Sequence, residues 1–586
     1  MDSEGYKKEV NIKRHTMAHV LAGAIKELYG NVKFGIGPAI GDGFYYDFDM
    51  EHSINVDDFD KIEAKMHEIV SQNLDMTKEV VSKQEALELF KDEPYKLELI
   101  NDLPEDEEIS IYKLGDVFTD LCRGPHVDNT KVLRSFAFKI NRVSGAYWRG
   151  SEKNKMMQRV YVYGFLDKQE LKEHLALVKE AQERDHRKLG KELGIFMFSE
   201  LVGRGLVMWL PNGFVVRRAL SDYITDKELA LGYEHVMTPS LANVELYKTS
   251  GHWDHYHEDM FPSMKRGDDD EEYVLRPMNC PHHMMIYKNF MHSYKDLPLR
   301  IAEIANDFRF EGSGSLCGIE RTRAFTQNDS HIFCRPDQIE SEVEGVIKLI
   351  LDVYKDFGFT KYNFRLSLRD KDNAEKYFGN DELWEKSENA LRKILQDSGA
   401  EFYEAKGEAA FYGPKIDVQV TSALGHDVTL STVQLDYQLP EKFELEYINE
   451  NNEKVRPVVI HRAILGSLDR FIAFLLEETK GVLPVWLSPK QVEVIAISDK
   501  FFDYANSVVD VLKQKNIRCS LDNRNESLSY RIRDAVKQKI PYIVIIGEKE
   551  TENKIVSVRE RGSNNTTEYN LQDFVSLINQ KIIDKN

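Results

Sequence analysis

Two histidines stand four residues apart in "RHTMAHVLAGAIKELYG", His15 and His19. If that stretch is a helix, four residues make just over one turn and both rings share a face. Paired imidazoles suit a metal ion, proton handling or plain packing, and the spacing alone leaves all three open. A second polar constellation lies mid-chain in "ERTRAFTQNDSHIFC", 320–334. Read as a strand, its period of two puts Arg321, Arg323, Phe325, Gln327, Asp329 and His331 on one face. An ordinary buried face is apolar, whereas this one carries two cations, an amide, a carboxylate and an imidazole around one ring. The preceding "RIAEIANDFRFE" is a second strand candidate in which Arg309 and Glu311 share a face, and "GSGSLCGI" between the two is a flexible loop. Strand, loop and strand with facing arginines suit a planar anionic ligand such as a nucleotide. Guanidinium forks bind phosphate oxygens, and guanidinium and Phe planes stack on a base.

These residues need a large scaffold. A chain of 586 residues exceeds one hydrophobic core, so three or four domains are expected. The composition, 42% hydrophobic and 30% charged, is that of a globular protein, and no apolar run is long enough to span a bilayer. The start, "MDSEGYKKEV", has no signal-peptide core. Five scattered cysteines argue against a disulfide framework and for a reducing, cytoplasmic setting. A net charge of −20 argues against non-specific coating of nucleic acid and leaves room for local basic patches such as "SYRIRDAVKQK", 529–539.

Four segments follow. Residues 1–165 alternate helices with short strands. Residues 166–193 include "DKQELKEHLALVKEAQERDHRKLGKEL", a proline-free charged pattern that predicts one connecting helix. Residues 194–484 mix helices and strands, and the acidic run "KRGDDDEE" (265–272) reads as a solvated loop. "VLPVWLSP" marks a boundary, after which 485–586 alternate β-α-β-α-β and predict a small sheet with helical crossovers.

The motifs then become recognisable. "FRFE…GIERTRAF" resembles motif 2 of the class II aminoacyl-tRNA synthetases, "GFVVRRALSDYITDKELALGYEHVMTP" resembles motif 1, and "RAILGSLDRFIAFLLEE" resembles motif 3. The resemblance implies an α+β multidomain protein. It has an antiparallel sheet core with helices, an N-terminal α/β editing domain and a C-terminal α/β anticodon-binding domain. Most of the motif 3 helix is core by its spacing (Ile464, Leu468, Phe471, Ile472, Leu475), and Arg470 is the exception. In the family's scheme Arg309 holds the α-phosphate of ATP, accompanied by Mg²⁺. Arg321 and Arg470 hold the outer phosphates, Arg470 also stacks on adenine opposite Phe325, and Glu311 touches the adenine. Gln327, Asp329, Tyr412, Lys415 and Gln434 line the amino-acid and adenylate pocket. Motif 1 implies a homodimer.

Within that class the chain is similar to the threonyl-tRNA synthetases. "RPMNCPHHM" (Cys280), "QNDSHIF" (His331) and "VVIHRAILG" (His461) match the positions that bind one Zn²⁺ per subunit in that family. A thiolate and two imidazoles are good zinc ligands, and three protein ligands leave a position open. Threonine and valine are nearly isosteric, and an apolar pocket separates them by only roughly a hundredfold. An ion that binds both the amino group and the side-chain hydroxyl rejects valine, with Asp329 placed to accept from that hydroxyl. Serine keeps the hydroxyl, and a missing methyl is worth only about 1–3 kcal/mol. Hydrolytic editing is therefore implied.

"HTMAH" and "DLCRGPHVDN" resemble the editing domain shared by threonyl and alanyl enzymes, with His15, His19, Cys122 and His126 at the catalytic positions and Asp120 close by. By ligand type these four suit a closed zinc site, but such a site leaves no place for catalytic water, so the metal-free hydrolytic reading is preferred. The last domain resembles the anticodon-binding domain of this group, with Asn525, Arg533, Glu550 and Arg559 at base-reading positions; His252 is placed near the tRNA 3′ end. Two departures stand out in motif 2, Cys317 and Phe308 where relatives often carry histidine, and the chain is expected to lack the N-terminal ubiquitin-like TGS domain. The implied substrates are ATP, L-threonine and tRNA(Thr), with no membrane partner. The rival readings are a class II synthetase for another amino acid, serine or proline first, and a non-catalytic RNA-binding regulator. The Cys280/His331/His461 set argues against the former, and Arg309, Arg321 and Arg470 argue against the latter.

Overall fold

The computed structural model describes residues 3–104, 107–267, 271–373, 377 and 381–585. They form two compact units, Met1–Lys179 and Glu180–Asn586. The first is organised around helix α1 (Ser3–Tyr29). Its Val10, Met17, Ala18, Leu21, Ala24 and Ile25 recur at helical spacing and are fully or almost fully buried. The strands are β1 (Val32–Phe34), β2 (Gly43–Met50), β3 (Met76–Val81), β4 (Ile109–Leu114), β5 (Phe118–Leu121), β6 (Ala137–Tyr147) and β7 (Met156–Phe165). An antiparallel sheet runs β1-β2-β7-β6, and a second runs β3-β4-β5. The unit also contains helices α2 (Phe59–Ser71) and α3 (Pro94–Asn101).

The connector departs from the expected single helix. Helix α4 (Lys168–Arg184) ends at Asp185, whose backbone leaves helical geometry at φ −52°, ψ 114°. Its carboxylate accepts from the Arg187 N–H and caps a new helix, α5 (His186–Glu192). An internal capping residue restarts the helix where charge pattern alone reads straight through. The division between the two units falls inside α4.

After α5, the second unit continues into α6 (Pro211–Ala230), the motif 1 helix. Its main sheet has eight strands: β8 (Glu234–His235), β9 (Leu299–Phe308), β10 (Ala324–Cys334), β11 (Tyr362–Leu368), β12 (Phe402–Lys406), β13 (Lys415–Thr421), β14 (Asp427–Asp436) and β15 (Val458–Ser467). The spatial order is β8-β9-β10-β15-β14-β13-β11-β12, and every joint except the two outermost is antiparallel. Helix α7 (Cys280–Lys288) carries Cys280 at its first residue. Helices α8 (Ile339–Asp356) and α9 (Leu468–Thr479) cover the sheet, with Val343, Ile350, Phe471 and Leu475 in one core with Ile332, Val433 and Ile460.

Strand β10 is shorter than the expected 320–334. Cys317 and Arg321 bridge each other across the tight base of the loop, so regular pairing starts only at Ala324. Of the acidic run, residues 268–270 lie outside the described residues; its flanks, Met264–Lys265 and Glu272–Leu275, pair as short antiparallel strands.

The C-terminal part follows the expected alternation: β16 (Val492–Ala496), α10 (Phe502–Gln514), β17 (Cys519–Asp522), α11 (Leu528–Lys537) and β18 (Tyr542–Ile546). Strands β17, β16 and β18 are parallel neighbours, and β19 (Ile555–Glu560) and β20 (Thr566–Asn570) extend the sheet antiparallel.

Candidate active sites

Register across the large sheet builds the first site. His331 on β10 pairs with His461 on β15, His461 with Gln434 on β14, and Gln434 with Lys415 on β13. Residues in register across neighbouring strands project to the same face, so residues more than a hundred positions apart form one row. Gln434 and His461 of this row line a cavity of about 230 Å³. Arg309, Glu311, Arg321, Phe325, Gln327, Asp329, Gln434, His461 and Arg470 all line it. Three guanidinium groups converge there with a single aromatic ring, as a nucleotide polyphosphate requires. Arg309 lies 5.0 Å from the Phe325 ring centre, and Arg321 donates to Glu311 Oε2 at 3.0 Å.

Three expected placements differ in detail. Arg323, read on the same face as Arg321, does not line the cavity; it stacks on Phe310 and donates to the Glu311 carbonyl, because the strand begins only after it. Tyr412 reaches the site through its hydroxyl bond to Gln434 and a ring stack on His461. The Lys415 ammonium turns to Asp417, 3.0 Å away.

Beside the cavity, next to its lining residue His461, the donor atoms of Cys280, His331 and His461 lie within 4.8 Å of one another, and all three residues are buried. Their surroundings fix which ring nitrogen is bare. Glu303 accepts from His283 Nε2 at 3.2 Å, so His283 Nδ1 is the acceptor for His331 Nδ1–H at 2.8 Å. His331 Nε2 is left buried and without a partner. Asp436 accepts from His461 Nε2 at 2.9 Å, which leaves His461 Nδ1 with its lone pair. Burial holds the His331 pKa well below the ordinary imidazole value and pushes the Cys280 thiol well up. Neutral imidazoles, each backed by a carboxylate, and a thiol that a cation would deprotonate form a donor set that fits zinc. Asp329 is beside them; burial, reinforced by Asp307, lifts its pKa well above the usual carboxylate range. His252 is fully buried with Nε2 3.6 Å from Cys280 Sγ and Nδ1 on the Ser250 hydroxyl.

The second cluster stands in the first unit. α1 presents His15 and His19, and the loop after β5 presents Cys122 and His126; their donor atoms also lie within 4.8 Å of one another. Here Cys122 Sγ is 3.3 Å from His15 Nε2 and 3.2 Å from His126 Nε2, and His126 Nδ1 is 3.2 Å from the Thr16 hydroxyl. Asp120 lies 3.4 Å from His19 Nε2 and takes the buried Lys96 ammonium and, at 2.6 Å, the Tyr46 hydroxyl. Burial lowers the pKa of His15, His19 and His126 and pushes the Cys122 thiol up to about 11. The cluster is therefore neutral at pH 7. It opens at His15 into a cleft of about 380 Å³ lined by Lys8, Ile12, Pro38, Ala39 and Pro125.

Comparison with known proteins decides the family. Residues 262–479 match the class II tRNA synthetase core domain (G, H, P, S and T), 491–581 the anticodon binding domain, and 109–161 the threonyl and alanyl tRNA synthetase second additional domain. The threonine–tRNA ligase of Staphylococcus carnosus (strain TM300) is 55% identical over 97% of this chain and 88% of its own length. The chain belongs to the threonine–tRNA ligase family. The Staphylococcus aureus (strain JH9) ligase is 54% identical over the same shares. A crystal structure of the RNA binding domain of threonyl-tRNA synthetase from Cryptosporidium parvum Iowa II is 37% identical with a TM-score of 0.65, covering 68% of this chain and 98% of that one.

In the C-terminal domain of this family member the four expected base-reading residues are differently engaged. Asn525 is exposed in the loop before α11, and Arg533 lies 5.7 Å from the Tyr530 ring. Arg559 donates to the Ser563 carbonyl and the Asn564 amide oxygen. Both Glu550 oxygens are occupied locally, by the Gly547 N–H and the Ser557 hydroxyl. Sequence reasoning missed the groups that support the sites: His283, Glu303 and Asp436 in the core, and Lys96 and Tyr46 behind Asp120. A lone His, Glu or Lys carries no spacing signal. "CPHHM" alone held a hint, since His283 follows Cys280 by three residues on one helical face.

Proposed function

We propose that the protein joins L-threonine to tRNA(Thr) through threonyl-adenylate and hydrolyses mischarged seryl-tRNA(Thr). The observation that carries this reading is the Cys280/His331/His461 set beside the arginine-lined cavity, whose wall His461 forms in part. Arg309 holds the α-phosphate as the carboxylate attacks it, and Arg321 and Arg470 hold the leaving pyrophosphate, which travels with Mg²⁺. Phe325 and Arg470 take the two faces of adenine, and Glu311 meets its edge. Little covalent chemistry falls to these side chains; positioning and charge stabilisation dominate. Cys280, His331 and His461 would hold Zn²⁺, which when bound supplies a Lewis acid for the amino group and hydroxyl of threonine. Asp329 faces that hydroxyl, Gln327, Gln434 and Tyr412 close the pocket, and Lys415 backs it through Asp417.

In the first unit His15, His19, Cys122, His126 and Asp120 position a water against the ester carbonyl without a metal. Neutral rings are suited to accept its proton. Asn525, Arg533, Glu550 and Arg559 face the anticodon. Residues 1–165, 166–193, 194–484 and 485–586 are editing domain, connector, aminoacylation core and anticodon domain. α6, with Phe214 and Leu229 exposed, is read as the homodimer face. Among the described residues no helix is long and apolar enough to cross a membrane, and the cytoplasm is the proposed location.

ATP–pyrophosphate exchange with threonine, serine and valine, alongside zinc content, tests the reading. Strong exchange with threonine, weaker with serine and none with valine is expected, with about one zinc per chain. Exchange with none of the three, or equally with valine, overturns it.

A further inference from the structure

The nucleotide loop between β9 and β10 has an anchor outside the cavity. His186, the first residue of α5, is 2% exposed. Its Nδ1 lies 2.6 Å from Glu477 Oε1, and its Nε2 accepts from the Ile319 N–H at 3.3 Å. The carboxylate requires a proton on Nδ1, so Nε2 carries the lone pair that the loop amide needs. The loop makes room for the ring. Gly318 has φ +48°, and a Cβ there would fall 2.1 Å from His186 Nε2.

The same helix also holds the loop's next residue. Arg470 and Glu477 are seven residues apart on α9, two turns and so one face. Arg470 donates to the Glu320 carbonyl at 3.3 Å, while Glu477 reaches Ile319 through His186. One rigid helix therefore clamps two consecutive loop residues. Ile319 is itself fully buried, and Arg321 directly follows the clamped pair Ile319 and Glu320.

We propose that His186 is a positioning residue for ATP: it fixes the root of the loop so that Arg321 and Arg470 are held in register for the outer phosphates. This rests on the nucleotide reading of the cavity. His186 touches no substrate and acts through Ile319. A preset loop spares ATP the ordering cost on binding, so the effect belongs to the KM for ATP.

Two substitutions separate the two ring nitrogens. His186→Gln puts an acceptor near the Nε2 position and keeps the Ile319 bond. His186→Asn keeps a donor to Glu477 and loses that bond. In ATP–pyrophosphate exchange, His186→Asn is expected to raise the KM for ATP roughly tenfold, the scale of one stranded buried amide. The kcat, the KM for threonine and the zinc content should stay put, and His186→Gln should restore the KM. Gly318→Ala, which leaves His186 intact but displaces its ring, should copy His186→Asn. Hydrogen exchange over residues 312–320 should quicken in His186→Asn and Gly318→Ala and stay slow in His186→Gln. Equal behaviour of Asn and Gln, or a fall in kcat and thermal midpoint with no change in the KM for ATP, overturns the proposal. Absence of exchange in the wild-type protein would instead sink the nucleotide reading, and the hydrogen-exchange comparison would still judge the anchor.

Discussion

The protein carries two clusters of histidine and cysteine that look alike in composition and differ in what stands behind them. In the core, each imidazole's second nitrogen is engaged outward: Glu303 through His283 for His331, and Asp436 for His461. The remaining lone pairs have nowhere to go but inward, at a thiol and at each other. In the editing unit the outward partners are a hydroxyl and a carboxylate already paired: Thr16 for His126 Nδ1, and for His19 Nε2 the Asp120 carboxylate, itself held by Lys96 and Tyr46, while Cys122 bonds His15 and His126 inside the cluster. The first arrangement is a donor set that fits a cation. The second also leaves a buried ring nitrogen, His19 Nδ1, without a hydrogen-bond partner, and it opens at His15 to a cleft. Ligand types are thus a poor guide on their own, and the two clusters differ in what backs their second ring nitrogens: Glu303 and Asp436 in the core, the Thr16 hydroxyl and the lysine-paired Asp120 in the editing unit.

The sharpest way to break this contrast is to cross the two clusters. Cys280→Ala is expected to remove the zinc and threonine-dependent exchange while leaving hydrolysis of seryl-tRNA(Thr) intact. His15→Ala should do the reverse, leaving charging and metal content unchanged and slowing seryl-tRNA hydrolysis by about 10²–10⁴-fold, the usual worth of a positioned base. Metal analysis together with both assays on both variants checks it. Two zinc ions per wild-type chain, one of them lost with His15, would erase the difference.

A smaller effect is expected from the backing carboxylates. Asp436 Oδ1 accepts from the Gln438 and Leu439 N–H groups, and Oδ2 accepts from His461. Asp436→Asn keeps the first role and puts an amide donor against His461 Nε2–H. The ring must then reverse its tautomer and lose its inward lone pair. Zinc affinity should weaken about 10–100-fold, read by competition with a chromogenic chelator. An unchanged affinity would mean that Asp436 only caps the chain.

Much of this was legible in the sequence because the chemistry is written in residue types at local spacing: His15/His19 on one turn, Arg309 and Glu311 at the end of a strand, Phe325 to His331 along another. The β-α-β-α-β order near the C-terminus followed from alternating apolar runs and turns. What stayed hidden depends on pairing between distant segments. Nothing near Glu303 announces His283, and nothing near Lys96 announces Asp120. The break at Asp185 was invisible to a reading of helical charge pattern, although a capping aspartate was there to be read, and it is that break which sets His186 against Glu477. Arg323 was misplaced for a related reason, since period two was extended across a loop base that pairs with itself.

The backing network also has a measurable share in stability, the smallest effect foreseen. Burial pushes the Glu303 pKa up, but the hydrogen bonds from His283 and the Thr238 N–H, with Arg276 beside them, outweigh it and hold the carboxyl at about 2. A folded-state value below that of the unfolded chain means the carboxylate favours folding wherever it is ionised in both states. At about 1.4 kcal/mol per pKa unit that is worth roughly 3 kcal/mol. The contribution is fully present above pH 5 and is lost as the pH falls from about 4.5 towards 2, because the unfolded carboxyl takes up its proton first. Glu303→Gln has no such proton to gain, so its stability should vary less with pH across that window. Denaturant unfolding of the metal-free protein at pH 7 and at the lowest pH where it stays folded gives the comparison. A gap between wild type and variant that is equally wide at both pH values would mean that Glu303 orders His283 by shape, with no help from its charge.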